Sequence, residues 1–365
     1  MGHDYGGRLR GAAERTGRAG IDGLIVTPSA DLLYLIGYDP PPYERLTALI
    51  VRPGLDPVLV APELEQPRAA ESPAGALMEI RKWTDGEDPY GTLRSVLADS
   101  GLFAVSDRML AVHLLGLQRS MVDAKFISAS SVLAPLRARK EEGEIQLLGQ
   151  AARSADEAFR RISAEILEGR REEEVAASLT THLVDAGHDS AAFTIVASGP
   201  NAASPHHLPG GRAVQMGDAV VLDIGGRIDG YCSDLTRTLS VGEPSQELAE
   251  VHEIVREAQE TAFQTVAPGV PAQDIDRAAR KVIADSGYEG AFIHRTGHGI
   301  GLEEHEPPYL VEGNEDPLQP GMCFSIEPGI YVEGRFGVRI EDIVTLADEG
   351  PLRLNHAPHE LSVVT

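Results

Sequence analysis

Residues 294–306 read HRTGHGIGLEEHE. Histidines stand at 294, 298 and 305, carboxylates at Glu303, Glu304 and Glu306, and glycines at 297, 299 and 301. Neutral imidazole is the commonest protein ligand for a metal ion, and glycine lets a backbone take φ > 0 and approach a ligand closely. Such a segment is either a polar loop or one wall of a metal site, and its company decides which. Two other stretches carry acids inside apolar runs. In AVVLDIGGRIDGYCSDLTRT, Asp223 ends an apolar run and Asp234 follows at the far side of a turn near Ile228 and Asp229. In SIEPGIYVEGRFGVRIEDIV, Glu327 and Glu341 flank a turn centred near Gly334. Each pair is expected to face across a hairpin, where opposed Cβ atoms lie roughly 4.5–5.5 Å apart.

Like charges that close destabilise a sheet, and an isolated buried carboxylate is too costly to keep ionised. Bound cations are the simplest compensation. Four carboxylates balance two divalent ions, and His298 adds a neutral fifth ligand. A water bridging two such ions loses a proton near neutral pH and becomes a nucleophile. Oxygen-rich ligation with one imidazole and no thiolate suits Mn²⁺, Co²⁺, Fe²⁺ or Zn²⁺.

The elements that must position these residues follow from periodicity. Residues 5–20 read as an amphipathic helix, 23–27 as a short buried strand and 31–36 as a short apolar segment. Pro40, Pro41 and Pro42 make a rigid surface loop that carries Tyr43 and Arg45. Residues 46–51 and 58–61 read as a hairpin. Strand 78–83, helix 90–99, strand 102–105 and helix 110–117 then alternate, as in an α/β layer. A charge cluster at 137–142 (RARKEE) marks a boundary between domains 1–136 and 137–365. Beyond it come helices 141–167 and 172–187 and strands 191–198, 219–225 and 231–241. Helices 246–266 and 272–287 and strands 292–294, 322–326 and 338–346 complete the chain. Helix pair then hairpin occurs twice, which predicts a duplicated unit and an α/β (α+β) fold class.

Composition excludes several functions. The 365 residues, 42% of them hydrophobic, allow two domains with sizeable cores. No apolar run is long enough to span a bilayer, and the first residues lack a signal peptide's apolar region and a myristoylation site's hydroxyl at Gly6. Two cysteines, Cys232 and Cys323, make no disulfide framework, so a reducing cytoplasm is expected. The net charge of −24 argues against a nucleic-acid partner. There is no GxGxxG after a strand, no Walker loop and no GxSxG. Residues 305–309 (HEPPY) are not HExxH, because two prolines break the helix that motif needs.

The order Asp223, Asp234, His298, Glu327, Glu341 resembles the dinuclear metallopeptidases of family M24, the pita-bread fold of methionine aminopeptidase, aminopeptidase P and prolidase. Residues 294–306 are similar to the signature of the prolidase and aminopeptidase P branch, departing from it at Glu304, where that pattern prefers Val or Ile. Ser198-Gly199-Pro200-Asn201 with His206, then SIEPGIY and VRIEDI, are similar too. The match is strong over about 140–365 and one of layout before that, where a creatinase-like lead domain is implied.

The resemblance implies hydrolysis of the bond preceding proline, in Xaa-Pro dipeptides, by a hydroxide bridging two divalent ions, manganese first and cobalt, zinc or iron as alternatives. Aminopeptidase P activity on longer peptides is the alternative, followed by a non-peptidase member of the fold. It implies that Asp234 and Glu341 bridge the metals, that Asp223 binds one of them, and that His298 with Glu327 binds the other. Glu327 becomes a proton shuttle, His206 holds the scissile region, His305 contacts the substrate carbonyl, and Arg339 orients a metal-bound carboxylate. His207 and His294 are expected to be structural. Tyr231 is placed where it could line the site. The family implies a homodimer, with Tyr43 and Arg45 reaching a neighbour's site, and Arg45 is expected to anchor the substrate carboxylate.

Overall fold

The computed structural model describes residues 3–365, which form two units, the first ending at Arg137 and the second running Ala138–Thr365. The first unit is built on a six-stranded sheet. Its strands are β1 (Gly23–Val26), β2 (Ala48–Val51), β3 (Val58–Pro62), β4 (Glu79–Trp83), β5 (Ser100–Val105) and β6 (Asp123–Ser128), in the order β4-β3-β2-β1-β5-β6. The expected hairpin is the antiparallel pair β2–β3, while β3–β4, β1–β5 and β5–β6 pair in parallel. Helices α1 (Tyr5–Arg18), α2 (Ala30–Ile36), α3 (Gln66–Glu71), α4 (Pro89–Arg94), α5 (Ala111–Ser120) and α6 (Ser130–Ala138) accompany it. The apolar segment after β1 is helix α2, closed by Gly37 in the left-handed region at φ 67°. Edge strand β6 was not expected. Its side chains are mostly exposed, and alternating polar residues hide it from a burial-based reading.

The second unit repeats one motif. Helices α7 (Glu142–Ile162) and α8 (Glu172–Asp185) precede β7 (Ser190–Ser198), β8 (Ala219–Ile228), β9 (Tyr231–Cys232) and β10 (Leu235–Val241). Helices α9 (Gln246–Thr265) and α10 (Ala272–Asp285) precede β11 (Gly297–Gly299), β12 (Glu306–Leu310), β13 (Cys323–Ile326), β14 (Gly329–Val332), β15 (Phe336–Arg339), β16 (Asp342–Ala347) and β17 (Gly350–Arg353). The last strand, β18 (Ser362–Val364), returns to the first half, giving sheets ordered β18-β10-β8-β7 and β12-β11-β13-β16-β17. Each helix pair packs its apolar stripe on its own sheet. Ala155, Phe159, Ile162, Val175 and Leu179 meet Val220, Leu222 and Leu239, while Val251, Val255, Ile275 and Ala279 meet Phe324, Ile326 and Val344. A capping box starts α7, where the backbone N–H of Glu141 donates to Glu144 at 2.8 Å.

The strand expected at 292–294 is absent, and β11 stands at Gly297–Gly299 instead. A Cβ on Gly297 would lie 2.0 Å from the Ser325 carbonyl oxygen, and one on Gly299 2.4 Å from that of Pro307. These glycines serve by close approach to neighbouring strands. Neither has the positive φ that the sequence suggested.

Candidate active site

Strand β8 delivers Asp223 and turns back at Asp229 and Gly230, both at positive φ (48° and 83°), a conformation suited to a tight hairpin. Asp223 and Asp234 are not directly opposed, contrary to the expectation from the turn. Thr236 is the partner of Asp223, and the ladder breaks between β9 and β10 at Ser233 and Asp234. Ser233 keeps the chain close by donating its N–H to the Gly226 carbonyl at 2.8 Å. Asp234 therefore sits one diagonal step from Asp223. With a side-chain period of two, both still point to one face.

The second hairpin agrees with expectation. The β13–β16 ladder pairs Ile326 with Asp342, the β14–β15 ladder pairs Gly329 with Arg339, and Glu327 and Glu341 share the same register between the two. At that rung the backbone turns outward. Glu327 donates its N–H to the Thr296 carbonyl at 2.8 Å, and Glu341 to the Thr236 carbonyl at 3.0 Å. The second contact joins the two hairpins, and the Thr236 hydroxyl donates to Glu341 Oε2 at 2.7 Å. Thr238 repeats the join one pleat on, its hydroxyl accepting from the Arg339 N–H at 3.1 Å. The alternation DLTRT was the available signal for these threonines.

His298, on β11, brings the fifth group. Its Nδ1 faces the Gly299 carbonyl at 3.2 Å, an acceptor only, so the ring proton sits on Nδ1. The Nε2 lone pair then faces Glu327 Oε1 at 3.2 Å and Asp234 Oδ2 at 3.7 Å. Ligand atoms of Asp234, His298 and Glu341 lie within 4.8 Å of one another, all three residues buried. Asp223 Oδ2 accepts from Arg339 Nη2 at 2.6 Å. Asp223 Oδ1 and Glu341 Oε1, both buried, have no hydrogen-bond partner among the described residues.

Lone pair against carboxylate, and buried oxygens without donors, are repulsive until a cation lies between them. Burial and mutual repulsion raise the carboxyl pKa values for the same reason. Burial and the charge of Glu327 push Glu341 up to about 8. Burial, with Asp223 beside it, pushes Glu327 up to about 7 against the pull of Arg339. Burial and then Glu341 raise Asp234 well above the carboxylate range. An all-oxygen set with one neutral imidazole fits hard or borderline divalent ions.

These groups line a cavity of about 510 Å³, together with His206, His294, Arg295, Glu304 and His305, and with Phe193, Ile195 and Pro205 as apolar wall. The His305 ring lies 3.9 Å from that of His298, centroid to centroid. Burial, and then His298 beside it, hold it down to about 4, so it is neutral at pH 7. His206 rides on a loop tied down by Glu172. That buried carboxylate accepts from the Ser198 N–H and hydroxyl at 2.8 and 2.7 Å, and from Asn201 at 3.0 Å. His207 lies 2.9 Å from Glu172, so it is structural as expected.

His294 has a place at the site as well. It lines the cavity, and its Nε2 meets the Tyr331 hydroxyl at 2.7 Å, which accepts from Arg339 Nη1 at 2.9 Å. A chain His294–Tyr331–Arg339–Asp223 thus fixes the carboxylate from behind. Tyr331 was missed by sequence, and so was Lys140, whose buried ammonium pairs with buried Glu306 at 2.8 Å beside His305. Tyr231, placed at the site by sequence, turns away and donates to Glu144 at 2.8 Å. Cys232 and Cys323 are buried free thiols. Tyr43 and Arg45 lie in the first unit. Tyr43 is exposed, and Arg45 holds Asp85 through two N–H groups at 2.9 Å each and Glu44 at 3.0 Å.

Fold and site together define a metal-dependent hydrolase. The sequence matches the metallopeptidase family M24 over residues 146–348 and the creatinase/prolidase N-terminal domain over residues 8–139, and the chain belongs to metallopeptidase family M24. It is 46% identical to a probable dipeptidase PepE of Mycobacterium tuberculosis over 99% of this chain and 96% of that one. It is 37% identical to a Xaa-Pro dipeptidase of Lactobacillus helveticus over 91% and 92%. A crystal structure of recombinant prolidase from Thermococcus sibiricus superposes with a TM-score of 0.94 at 39% identity, all of both chains being covered. The second unit is a pita-bread domain, and the first is a creatinase-like lead domain that precedes it in the chain. Among the described residues, no helix is long and apolar enough to cross a membrane.

Proposed function

We propose that this chain is a metal-dependent Xaa-Pro dipeptidase, hydrolysing the peptide bond that precedes proline. The observation that carries this reading is the pair of buried, partnerless oxygens of Asp223 and Glu341 in a cavity shared with a lone-pair-forward His298. Two divalent ions balance the four carboxylates, manganese in the first place, with cobalt, zinc or iron as alternatives. Asp234 and Glu341 would hold both ions, Asp223 would hold one of them, and His298 with Glu327 the other. When bound, the ions polarise the scissile carbonyl and activate water.

The chain's own residues do the rest. Arg339 holds Asp223 in place through a charge-assisted bond of 2.6 Å. Glu327, a carboxylate lining the same cavity, is the group that takes and returns a proton. Neutral His305 donates an N–H to the substrate carbonyl, and His206 steadies the scissile region. Phe193, Ile195 and Pro205 offer an apolar surface to a pyrrolidine ring. The exposed Tyr43 on the proline loop suits an interface in a homodimer, and two buried free thiols suit the cytoplasm.

The test is bound-metal analysis with turnover of Xaa-Pro dipeptides and tripeptides. Two ions per chain and dipeptide cleavage are expected. Full activity after metal stripping refutes the mechanism, and preference for tripeptides makes the enzyme an aminopeptidase P. A fully active monomer by light scattering refutes the dimer.

A further inference from the structure

A dipeptide ending in proline carries a free carboxylate one residue beyond the scissile bond. A carboxylate that leaves water for a cavity needs a cation to meet it. Two guanidinium groups line the cavity, Arg295 and Arg339. Arg339 is committed to Asp223, Tyr331 and Thr236, and it is buried. Glu304, a lining carboxylate, is paired with Arg227 at 3.3 Å. Arg295 makes no ion pair among the described residues. Its guanidinium lies over the Tyr309 ring instead, with Cζ 4.5 Å from the centroid.

Stacking on an aromatic face restrains a guanidinium while leaving its in-plane N–H fork open. A restrained fork loses little rotamer freedom on binding, and it matches a carboxylate with two parallel hydrogen bonds. The charge of Arg295 reaches the cavity's titrating groups. After burial and His298 it is the next influence holding His305 down. Arg45, the cation that sequence suggested for this task, already donates in-plane N–H groups to Asp85 and to Glu44.

We infer that Arg295 is the specificity-determining residue that takes the substrate's C-terminal carboxylate, and this rests on the dipeptidase reading of the same site. An acidic side chain at the substrate's first residue offers the same carboxylate chemistry, so the experiment must separate the two sources. Leu-Pro, Leu-Pro amide and Asp-Pro are assayed for kcat and KM with the metal-loaded parent and with Arg295→Met, Arg295→Lys and Arg45→Ala. Metal content and melting temperature are measured on each variant.

The parent is expected to prefer Leu-Pro over its amide by about tenfold to a hundredfold in kcat/KM, the range for a charged hydrogen bond. In Arg295→Met that preference falls to within about twofold through KM, with metal content and melting retained. Arg295→Lys recovers part of it, and Arg45→Ala keeps it. The inference is overturned if a folded, metal-loaded Arg295→Met retains the preference, or if Arg45→Ala abolishes it. It is equally overturned if Arg295→Met changes only Asp-Pro relative to Leu-Pro, which assigns the guanidinium to the first residue's side chain. A parent that does not hydrolyse Leu-Pro refutes the dipeptidase reading itself, a result visible before any variant is made.

Discussion

The two hairpins that carry the four carboxylates reach the same cavity by different routes. In the hairpin of Glu327 and Glu341 the register runs unbroken from the Gly334 turn to β13 and β16, and both acids share one rung. Their backbone N–H groups leave that rung for Thr296 and Thr236, so the strands open where the acids stand. In the hairpin of Asp223 and Asp234 the acids are a diagonal step apart, because the turn is centred on Asp229 and Gly230 and sets Thr236 opposite Asp223. The first arrangement sets two like charges against each other and opens the backbone around them. The second offsets the charges and leaves Thr236, opposite Asp223, to donate a hydroxyl to Glu341. One hairpin is built for confrontation and the other for support, and the join between them is the Thr236–Glu341 contact.

The largest expected effect removes one acid from each hairpin. Asp234→Asn and Glu341→Gln should each lower bound metal and reduce kcat/KM a thousandfold or more, about 4 kcal/mol. Metal analysis beside a Leu-Pro assay checks this, and equal metal content in parent and variants would contradict the shared cluster.

Next is backbone approach. A Cβ on Gly297 meets the Ser325 carbonyl oxygen at 2.0 Å and one on Gly225 meets that of Ser233 at 2.4 Å. Both alanine variants should melt lower, by about 1–3 kcal/mol or more for an overpacked backbone contact. Gly297→Ala should be the worse, since it also displaces His298. Thermal denaturation ranks them.

The join itself is the third target. Thr236→Val keeps the side chain's shape and removes the hydroxyl that reaches Glu341. Metal affinity should fall by about tenfold to a hundredfold, as for other groups that orient a ligand. Ser325→Ala, which frees Glu327 of a 3.2 Å bond, is the matching change in the second hairpin. Competition with a chromogenic chelator measures both, and unchanged affinity in Thr236→Val would dissolve the distinction drawn between the hairpins.

The smallest effect lies behind the second half. Burial holds His252, on α9, down to about 4. Its folded value is below the unfolded one, so the unfolded chain binds the extra proton first. Stability is unaffected above the ordinary histidine value of about 6.5 and declines as pH falls from there toward 4, by about 1 kcal/mol per pH unit. His252→Leu should flatten the melting curve in that window, which denaturation at pH 7, 6 and 5 resolves.

Much of this molecule was legible because its signals are local. Helical spacing gave α7 to α10, and the apolar runs ending in Asp223 and Glu327 marked strands with acids at their mouths. The ligand order with the HRTGHGIG phrase pointed to the family, which 46% identity over nearly the whole chain shows. What the sequence could not carry was register and partnership. The first hairpin turns at Asp229 and Gly230, one residue later than Ile228 and Asp229, and that single step sets Thr236 rather than Asp234 opposite Asp223. Tyr331, Lys140 and Thr236 act through atoms contributed by segments far away in the chain, so neither their type nor their spacing betrays them. The same holds for the two arginines. Arg45 and Arg295 look alike as letters, and only packing places Asp85 on the first and an aromatic ring under the second. Covalent order determined which groups this protein owns. The tertiary structure decided which of them are already satisfied, because a charge's chemistry depends on what lies within a few ångströms of it and not on its neighbours in the chain.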